Sequence, residues 1–300
     1  AYGSEHGYRA WLGLVAHEYF HLWNVKRVRP EALGPFNYNE ENYTHSLWVA
    51  EGFTAYYDDL LLVRSGFMTP DQYLGYAMGN IRGHEGKTGK DVQSVADASF
   101  DAWIKFYRSN ENSSNTTVSY YGTGAVYATL LDLEIIHSTK GEKSLDDLMK
   151  YLYQEFYKKK QRGYSDAELQ AAAELIAGKK LDGFFNDYIF GTKTIDYNKY
   201  YNYAGIDVIK TPNNDLKLGV STKDKGGKLV ISRVNRSTPA YNDGLNVNDE
   251  ILAINGYRIA SSKELSAAID RAEKGDKLKF TIVRDGRLEN LDVVIQPTEG

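Results

Sequence analysis

The stretch that decides the fold of this chain is WLGLVAHEYFH, residues 11–21, in which His17 and His21 stand four positions apart. On an α-helix, residues at this spacing lie on one face, so the two imidazoles can bind one metal ion. Glu18 lies between them, where it can reach a water molecule at that ion and act as a general base. Because the surrounding residues are mostly apolar, unlike those of a solvated helix face, we interpret the segment as a metal-binding helix.

A second acidic residue, Glu51, can supply the third ligand, since it lies in the apolar run LWVAEGFTAYY, residues 47–57. A carboxylate inside such a run is costly to bury unless it is paired or binds a metal. Two His and one Glu form one of the ligand sets of catalytic zinc, with a fourth position left for water. The sequence therefore predicts one Zn²⁺ per chain, bound by His17, His21 and Glu51.

The composition argues against several other classes of function. The chain has 300 residues, which is room for two domains, and a formal net charge of -4. Since no large basic block is present, we expect no nucleic-acid partner. The chain has no cysteine, which excludes disulfides and leaves the compartment open between cytoplasm and periplasm. No apolar run approaches the ~20 residues of a membrane span, so we expect a soluble protein.

The sequence pattern changes near residue 211. Before it, helical patterns dominate, and the capping sequences that begin at Thr69, Ser144 and Ser165 predict helix starts. After it, short apolar runs alternate with turn sequences, and one helix is predicted over residues 262–273. We predict a mainly α-helical catalytic domain over residues 1–210 and a β-rich domain with one or two helices over residues 211–300. The predicted strands are residues 216–220, 228–234, 250–254, 277–283 and 291–295.

Two segments carry a resemblance to a known family. The segment HEYFHLWNVKRVRP, residues 17–30, and the segment WVAEGFT, residues 48–54, resemble the glycyl aminopeptidase family, and the resemblance extends over residues 8–210. It implies a gluzincin, a zinc metallopeptidase with a thermolysin-like helical domain, in which Glu51 is the third zinc ligand. Members usually carry a C-terminal PDZ domain. They also carry a large β-rich domain before the catalytic one, which these 300 residues lack.

The same resemblance implies roles for three residues outside the metal site. The related aminopeptidases have a Tyr that binds the oxyanion, three residues before a Gly. That Gly matches Gly124 here, so the Tyr matches Tyr121. The neighbouring Tyr120 is the alternative for this role, and we expect it to bind substrate. The first six residues, AYGSEH, resemble a substrate-binding YGGxEH segment but are one residue short of it. The resemblance implies that Glu5 holds a substrate amine, and a disordered terminal acid is the alternative.

The region after residue 211 resembles a bacterial PDZ domain. The segment KLGV, residues 217–220, is similar to the loop that binds a peptide carboxylate, and residues 237–256 are similar to the central signature of these domains. The resemblance implies that the backbone at Leu218, Gly219 and Val220 binds the C-terminus of a peptide, which is added to the sheet as a strand.

The expected function is zinc-dependent hydrolysis of peptide bonds by an aminopeptidase that prefers small N-terminal residues, Gly or Ala. Peptides are the expected substrates and partners. Two alternatives stay open at this stage. One is a PDZ-bearing peptide-binding protein whose truncated catalytic domain is weakly active or inactive. The other is an endopeptidase that uses the same zinc chemistry in an open cleft.

Overall fold

A computed structural model describes residues 3–211 and 215–297. The chain divides into two compact units, and the second is assembled from two separate segments of sequence. The first unit comprises Ala1–Arg108 and Thr117–Ile209, and the second comprises Ser109–Thr116 and Lys210–Gly300. None of the helices within the described ranges combines the length and the apolarity that crossing a membrane requires.

The fold-class prediction is confirmed for the first unit, which is helical. Several of its helices are preceded or followed by π-helical turns, at Trp48–Phe53, Ala102–Phe106, Tyr153–Lys160 and Phe185–Ile189. The α-helices up to residue 211 are α1 (Glu5–Phe20), α2 (Thr54–Arg64), α3 (Pro70–Glu85), α4 (Val95–Phe100), α5 (Ser113–Thr116), α6 (Gly122–Ser138), α7 (Leu145–Leu152), α8 (Asp166–Ala177), α9 (Asp182–Phe184) and α10 (Tyr197–Tyr201).

The three helix starts that were predicted from capping sequences are confirmed. Thr69, Ser144 and Ser165 are the N-cap residues of α3, α7 and α8, and each forms a reciprocal capping box. The side chain of each cap accepts a hydrogen bond from an amide of the first turn, while the third helical residue bonds back to the amide of the cap.

The core of the first unit surrounds α6, whose sequence GTGAVYATLLDLEIIHS is apolar on nearly every face. A helix of that kind is stable only when it is buried on all sides. By contrast, α1 contains no buried residue, and it packs against α2. The helix that carries His17 and His21 is therefore a surface helix that presents one face to the unit.

A close contact between two glycines determines where Glu51 lies. A Cβ added to Gly52 would fall 2.5 Å from the Cα of Gly124, and one added to Gly124 would fall 2.8 Å from the backbone oxygen of Trp48. The π-helical turn Trp48–Phe53 therefore packs backbone to backbone on the start of α6. Only glycine permits this approach, which brings Glu51 next to the residues that precede α6.

The second unit contains an antiparallel sheet, so this part of the fold-class prediction is also confirmed. The strand order is β1-β2-β3-β5-β6, with β4 paired to β3. The elements are β1 (Val220–Asp224), β2 (Leu229–Val234), α11 (Pro239–Asn242), β3 (Glu250–Ile254), β4 (Tyr257–Arg258), α12 (Ser262–Ile269), β5 (Lys277–Arg284) and β6 (Arg287–Val294).

The first predicted strand, residues 216–220, is wrong, because β1 begins where that prediction ended. Gly219 has φ +85, which interrupts extended backbone. The carbonyls of Leu218 and Gly219 accept hydrogen bonds from the amides of Ala240 (3.0 Å) and Asn235 (2.8 Å). These hydrogen bonds hold a loop and do not pair two strands. The helix that was predicted over residues 262–273 ends earlier, at Ile269.

The segment Ser109–Thr116 joins the second unit through Asn115, whose side chain is almost fully buried. The Nδ2 of Asn115 donates to the carbonyl of Val234 at 2.8 Å, and its Oδ1 accepts from the amide of Arg236 at 2.9 Å. One amide side chain thus satisfies two backbone groups at the end of β2 and just after it.

Candidate metal centre

Three predicted ligands converge at one point of the first unit. The Nε2 atoms of His17 and His21 each lie 3.3 Å from the Oε2 of Glu51. One donor atom from each of the three residues lies within 4.8 Å of the other two. Among the described residues, His17, His21 and Glu51 are the His, Cys, Asp or Glu side chains that lie close enough together to hold one metal ion. The donor set, two imidazole nitrogens and one carboxylate oxygen, is the set that suits zinc.

The Nδ1 atom of each imidazole, the one that does not face Glu51, also has a hydrogen-bond partner. The Nδ1 of His17 lies 3.0 Å from the Oδ2 of Asp58, and the Nδ1 of His21 lies 2.9 Å from the backbone oxygen of Asn24. A proton on each Nδ1 leaves each Nε2 with a lone pair that is directed at the shared point. This outer layer of contacts is typical of metal-binding histidines, whose orientation and basicity it controls.

Asn24 links the end of α1 to the turn that carries Glu51, and its role was not predicted. It has no exposed surface, and its Nδ2 donates to the carbonyls of Val49 (2.8 Å) and Ala50 (3.1 Å). The same residue supplies the oxygen that holds His21. A polar residue between apolar neighbours directly after the two histidines was the signal that could have pointed to it.

The electrostatics of the three ligands show that they interact strongly. Burial lowers the pKa of His17, but its hydrogen bonds with Asp58 and Glu51 outweigh this effect and raise the pKa to about 9. Burial raises the pKa of Glu51, whereas its contacts with His17 and His21 lower it to about 2. The carboxylate is therefore held as an anion beside the imidazoles. The negative charge of Glu51 also favours a metal cation at the point between the three ligands, where the cation would replace an imidazole proton.

A cleft of about 770 Å³ opens on the three ligands. Glu18 and Tyr121, the predicted base and oxyanion donor, both line it. The ring of Tyr121 stacks on that of His17, with centroids 6.2 Å apart, and burial raises the pKa of its phenol, which stays protonated as a donor. The other lining residues are Arg9, Ala10, Gly13, Leu14, Ala55, Asp58, Asp59, Met68, Tyr76, Asn80 and Gly122.

Two residues that were predicted to bind substrate are not among the residues that line this cleft. Tyr120 is buried, and its hydroxyl donates to the hydroxyl of Tyr107 at 3.4 Å. Glu5 has a side chain that is 80% exposed, and it pairs with Arg9 on the same helix. Tyr121 thus lines the cleft with the three ligands whereas Tyr120 does not, and Glu5 is an exposed acid at the first position of α1.

The predicted peptide-binding loop of the second unit has a defined backbone. Leu218 is buried, Gly219 is in the left-handed region, and Val220 begins β1. A Cβ on Gly219 would lie 2.2 Å from the side chain of Thr238, so no other residue fits there. The side chains of Thr222 and Ser262 bond at 2.7 Å and tie β1 to α12.

Comparison with known proteins identifies both regions. The family model described as M61 glycyl aminopeptidase matches residues 10–127, and the PDZ domain model matches residues 217–295. The crystal structure of an aminopeptidase N family protein from Idiomarina loihiensis is 29% identical, with a TM-score of 0.85 over 99% of this chain and 53% of that one.

Shorter similarities connect the chain to other proteases. A Pseudomonas putida protein described as a DegP-like periplasmic serine endoprotease is 38% identical over 88 residues, 29% of this chain and 18% of that one. A Lactococcus lactis protein described as a zinc metalloprotease is 37% identical over 71 residues, 24% of this chain and 16% of that one. The chain thus spans about half the length of the solved relative and less than a fifth of these two curated relatives. Taken with the fold and the ligand geometry, the matches show that the chain carries an M61 glycyl aminopeptidase domain followed by a PDZ domain.

Proposed function

We propose that this chain is a zinc-dependent aminopeptidase, with catalysis in residues 1–210 and peptide binding in residues 211–300. The observation that carries the proposal is the convergence of three ligand atoms within 4.8 Å in a cleft that Glu18 and Tyr121 also line. Ligands, base and oxyanion donor thus share one cavity of a size suited to a peptide segment.

The residues present fit a zinc ion. His17, His21 and Glu51 would hold it, because their donor atoms converge and their outer contacts already fix both imidazoles. Three protein ligands leave a coordination position open, as catalytic zinc sites do. When bound, zinc supplies Lewis-acid activation of water and of the peptide carbonyl.

The chain itself supplies the proton transfers and part of the charge stabilisation. Glu18 accepts a proton from the attacking water and passes it to the leaving amine, which it can do because its carboxylate lines the cleft beside the ligands. The phenol of Tyr121 donates a hydrogen bond to the carbonyl oxygen as that oxygen becomes negative. This bond strengthens in the transition state, so it lowers the barrier.

The preference for Gly or Ala at the substrate N-terminus rests on the match to the glycyl aminopeptidase family. An endopeptidase is the second candidate, because the cleft is long enough for Arg9 to line it two helical turns before His17. N-terminally free and N-acetylated forms of the same peptide separate the two, since an aminopeptidase cleaves only the free form.

Zinc content and turnover of Gly- and Ala-anilides, measured on the same protein sample, test the proposal. We expect one zinc per chain, with turnover that a chelator removes and added zinc restores. Leu-anilide is the control for the preference for a small N-terminal residue, and it should react more slowly than the Gly- and Ala-anilides. Stoichiometric zinc without cleavage of any peptide or anilide would support an inactive, peptide-binding protein instead.

For the second unit we propose that the backbone at Leu218, Gly219 and Val220 binds a peptide C-terminus. Support comes from the PDZ match and from the loop geometry, in which Gly219 lets the backbone turn. Fluorescence anisotropy with a random peptide library bearing free or amidated C-termini tests this. Binding of both forms with equal affinity would contradict it.

A further inference from the structure

Arg9 is a half-buried cation whose hydrogen-bonding capacity is only partly used. Its side chain is only 15% exposed, and its Nε is buried without a hydrogen-bond partner among the described residues. Its Nη2 forms an ion pair with the Oε1 of Glu5 at 3.4 Å, and the side chain of Glu5 is 80% exposed. An exposed pair of this kind contributes little, so the guanidinium remains available to a stronger partner.

The position of Arg9 relates it to the proposed reaction. It lines the cleft that contains His17 and Glu18, and it precedes His17 by eight residues on α1. At a rise of about 1.5 Å per residue, the two residues are about 12 Å apart along the helix axis. Ala10, Gly13 and Leu14 form the wall between them, and their side chains offer the guanidinium no acceptor.

The acidic residues of the cleft are engaged elsewhere or stand apart. Asp58 bonds to His17, and Glu51 bonds to both imidazoles. Asp59 also lines the cleft, where burial and the neighbouring charge of Asp58 raise its pKa to about 7, but it forms no ion pair with Arg9. These three cleft carboxylates therefore leave the guanidinium available to an anion of the ligand.

We propose that Arg9 binds a carboxylate of the peptide substrate, about three or four residues beyond the bond that is cleaved. An extended peptide advances about 3.3 Å per residue, so this number of residues covers the ~12 Å between the two positions. The inference rests on the proposed aminopeptidase function, in which only one residue lies before the scissile bond. A carboxylate at this distance thus belongs to the leaving part, and the planar guanidinium can bind it through two parallel hydrogen bonds.

The test compares alanine peptides of increasing length as free acids and as C-terminal amides, with zinc-loaded full-length protein. We expect kcat/KM for the free acid to exceed that for the amide by about tenfold or more, the size of one lost charge-assisted hydrogen bond. The ratio should be largest for peptides of four or five residues. In Arg9→Gln the ratio should fall to about one, and Arg9→Lys should retain part of it.

Two further arms identify the source of the carboxylate and exclude a general charge effect. Amidated peptides with Glu in the fourth or fifth position show whether a side-chain carboxylate can replace the terminal one. Arg82→Gln removes an exposed arginine of α3 that does not line the cleft, and it should keep the wild-type ratio. Calorimetric binding of the same acids and amides to Glu18→Gln gives the ratio without turnover.

The outcomes separate the two ideas. Equal values for acids and amides, in turnover or in binding, overturn the role of Arg9, and so does a preference that survives Arg9→Gln. Absence of any cleavage by zinc-loaded protein overturns the proposed function, while the binding ratio still decides the role of Arg9.

Discussion

At the scale of single residues, the proposed chemistry depends on groups that contact the ligands. Glu18 is the most direct test, because Gln keeps its size and removes the ability to accept a proton. We expect Glu18→Gln to retain one zinc per chain and to lose about 10²–10⁴ in kcat. Anilide turnover and metal content check this, with Glu142→Gln, an exposed acid outside the cleft, as the control. A variant that keeps more than a tenth of wild-type turnover contradicts the role.

The two neighbouring tyrosines make a matched pair. Tyr121→Phe should lower kcat by about 10²–10³ with little change in KM, since the hydrogen bond forms mainly in the transition state. Tyr120→Phe removes a hydroxyl that does not line the cleft and that forms a long hydrogen bond with Tyr107, so it should change turnover much less. Steady-state kinetics of both variants on one anilide decide between them. The reverse order of effects would transfer the role to Tyr120.

Asp58 is a residue that the structure adds to the site. It orients His17 through Nδ1 without touching the proposed metal position. We expect Asp58→Asn to weaken zinc binding by about 10- to 100-fold, as loss of such outer contacts does. Competition with a chromogenic chelator measures this. Unchanged zinc affinity would show that the packing of His17 alone is sufficient.

At the scale of elements, the contact between the π-helical turn Trp48–Phe53 and α6 aligns Glu51 with the cleft. Gly124→Ala inserts a methyl group 2.8 Å from backbone atoms on the facing turn, so we expect a loss of about 1–3 kcal/mol in the free energy of unfolding, together with weaker zinc binding. Gly75→Ala in α3 is the control, because a Cβ there meets nothing within 4 Å; it should be neutral or stabilise by up to ~1 kcal/mol. Denaturant unfolding and zinc titration of both variants test the difference. Equal stability in the two would mean that the turn can shift without cost.

At the scale of the whole molecule, the second unit needs a segment that lies before α6 in sequence. Asn115→Ala leaves the carbonyl of Val234 and the amide of Arg236 without their partner, which costs about 1–3 kcal/mol per buried group. We expect the second unit to unfold at lower temperature while zinc stoichiometry is kept, since the three ligands belong to the first unit. Calorimetry and metal analysis measure the two effects. Asn39→Ala, at an exposed position of the first unit, is the control. Loss of zinc in Asn115→Ala would contradict this separation.

The sequence by itself determined the features that depend on local spacing. The two histidines four apart mark a helix face, the capping sequences mark three helix starts, and a change of pattern near residue 211 separates helical from β-rich sequence. These signals are local because hydrogen bonds within one turn, or alternation along one strand, produce them. The fold class and the strand-rich character of the second region followed from them.

Only the tertiary structure decided which distant groups meet. Asp58 and Asn24 hold the imidazoles, two glycines place Glu51, and Asn115 carries residues 109–116 into the second unit. Local propensity does not predict these contacts, because most of them join residues that are far apart in sequence or involve backbone atoms that have no sequence signature. The first strand of the sheet was misplaced for a related reason: long-range hydrogen bonds and the left-handed Gly219 made its predicted residues a loop. Local interactions determine whether a segment forms a helix or a strand, while tertiary packing determines which side chains come together in one site.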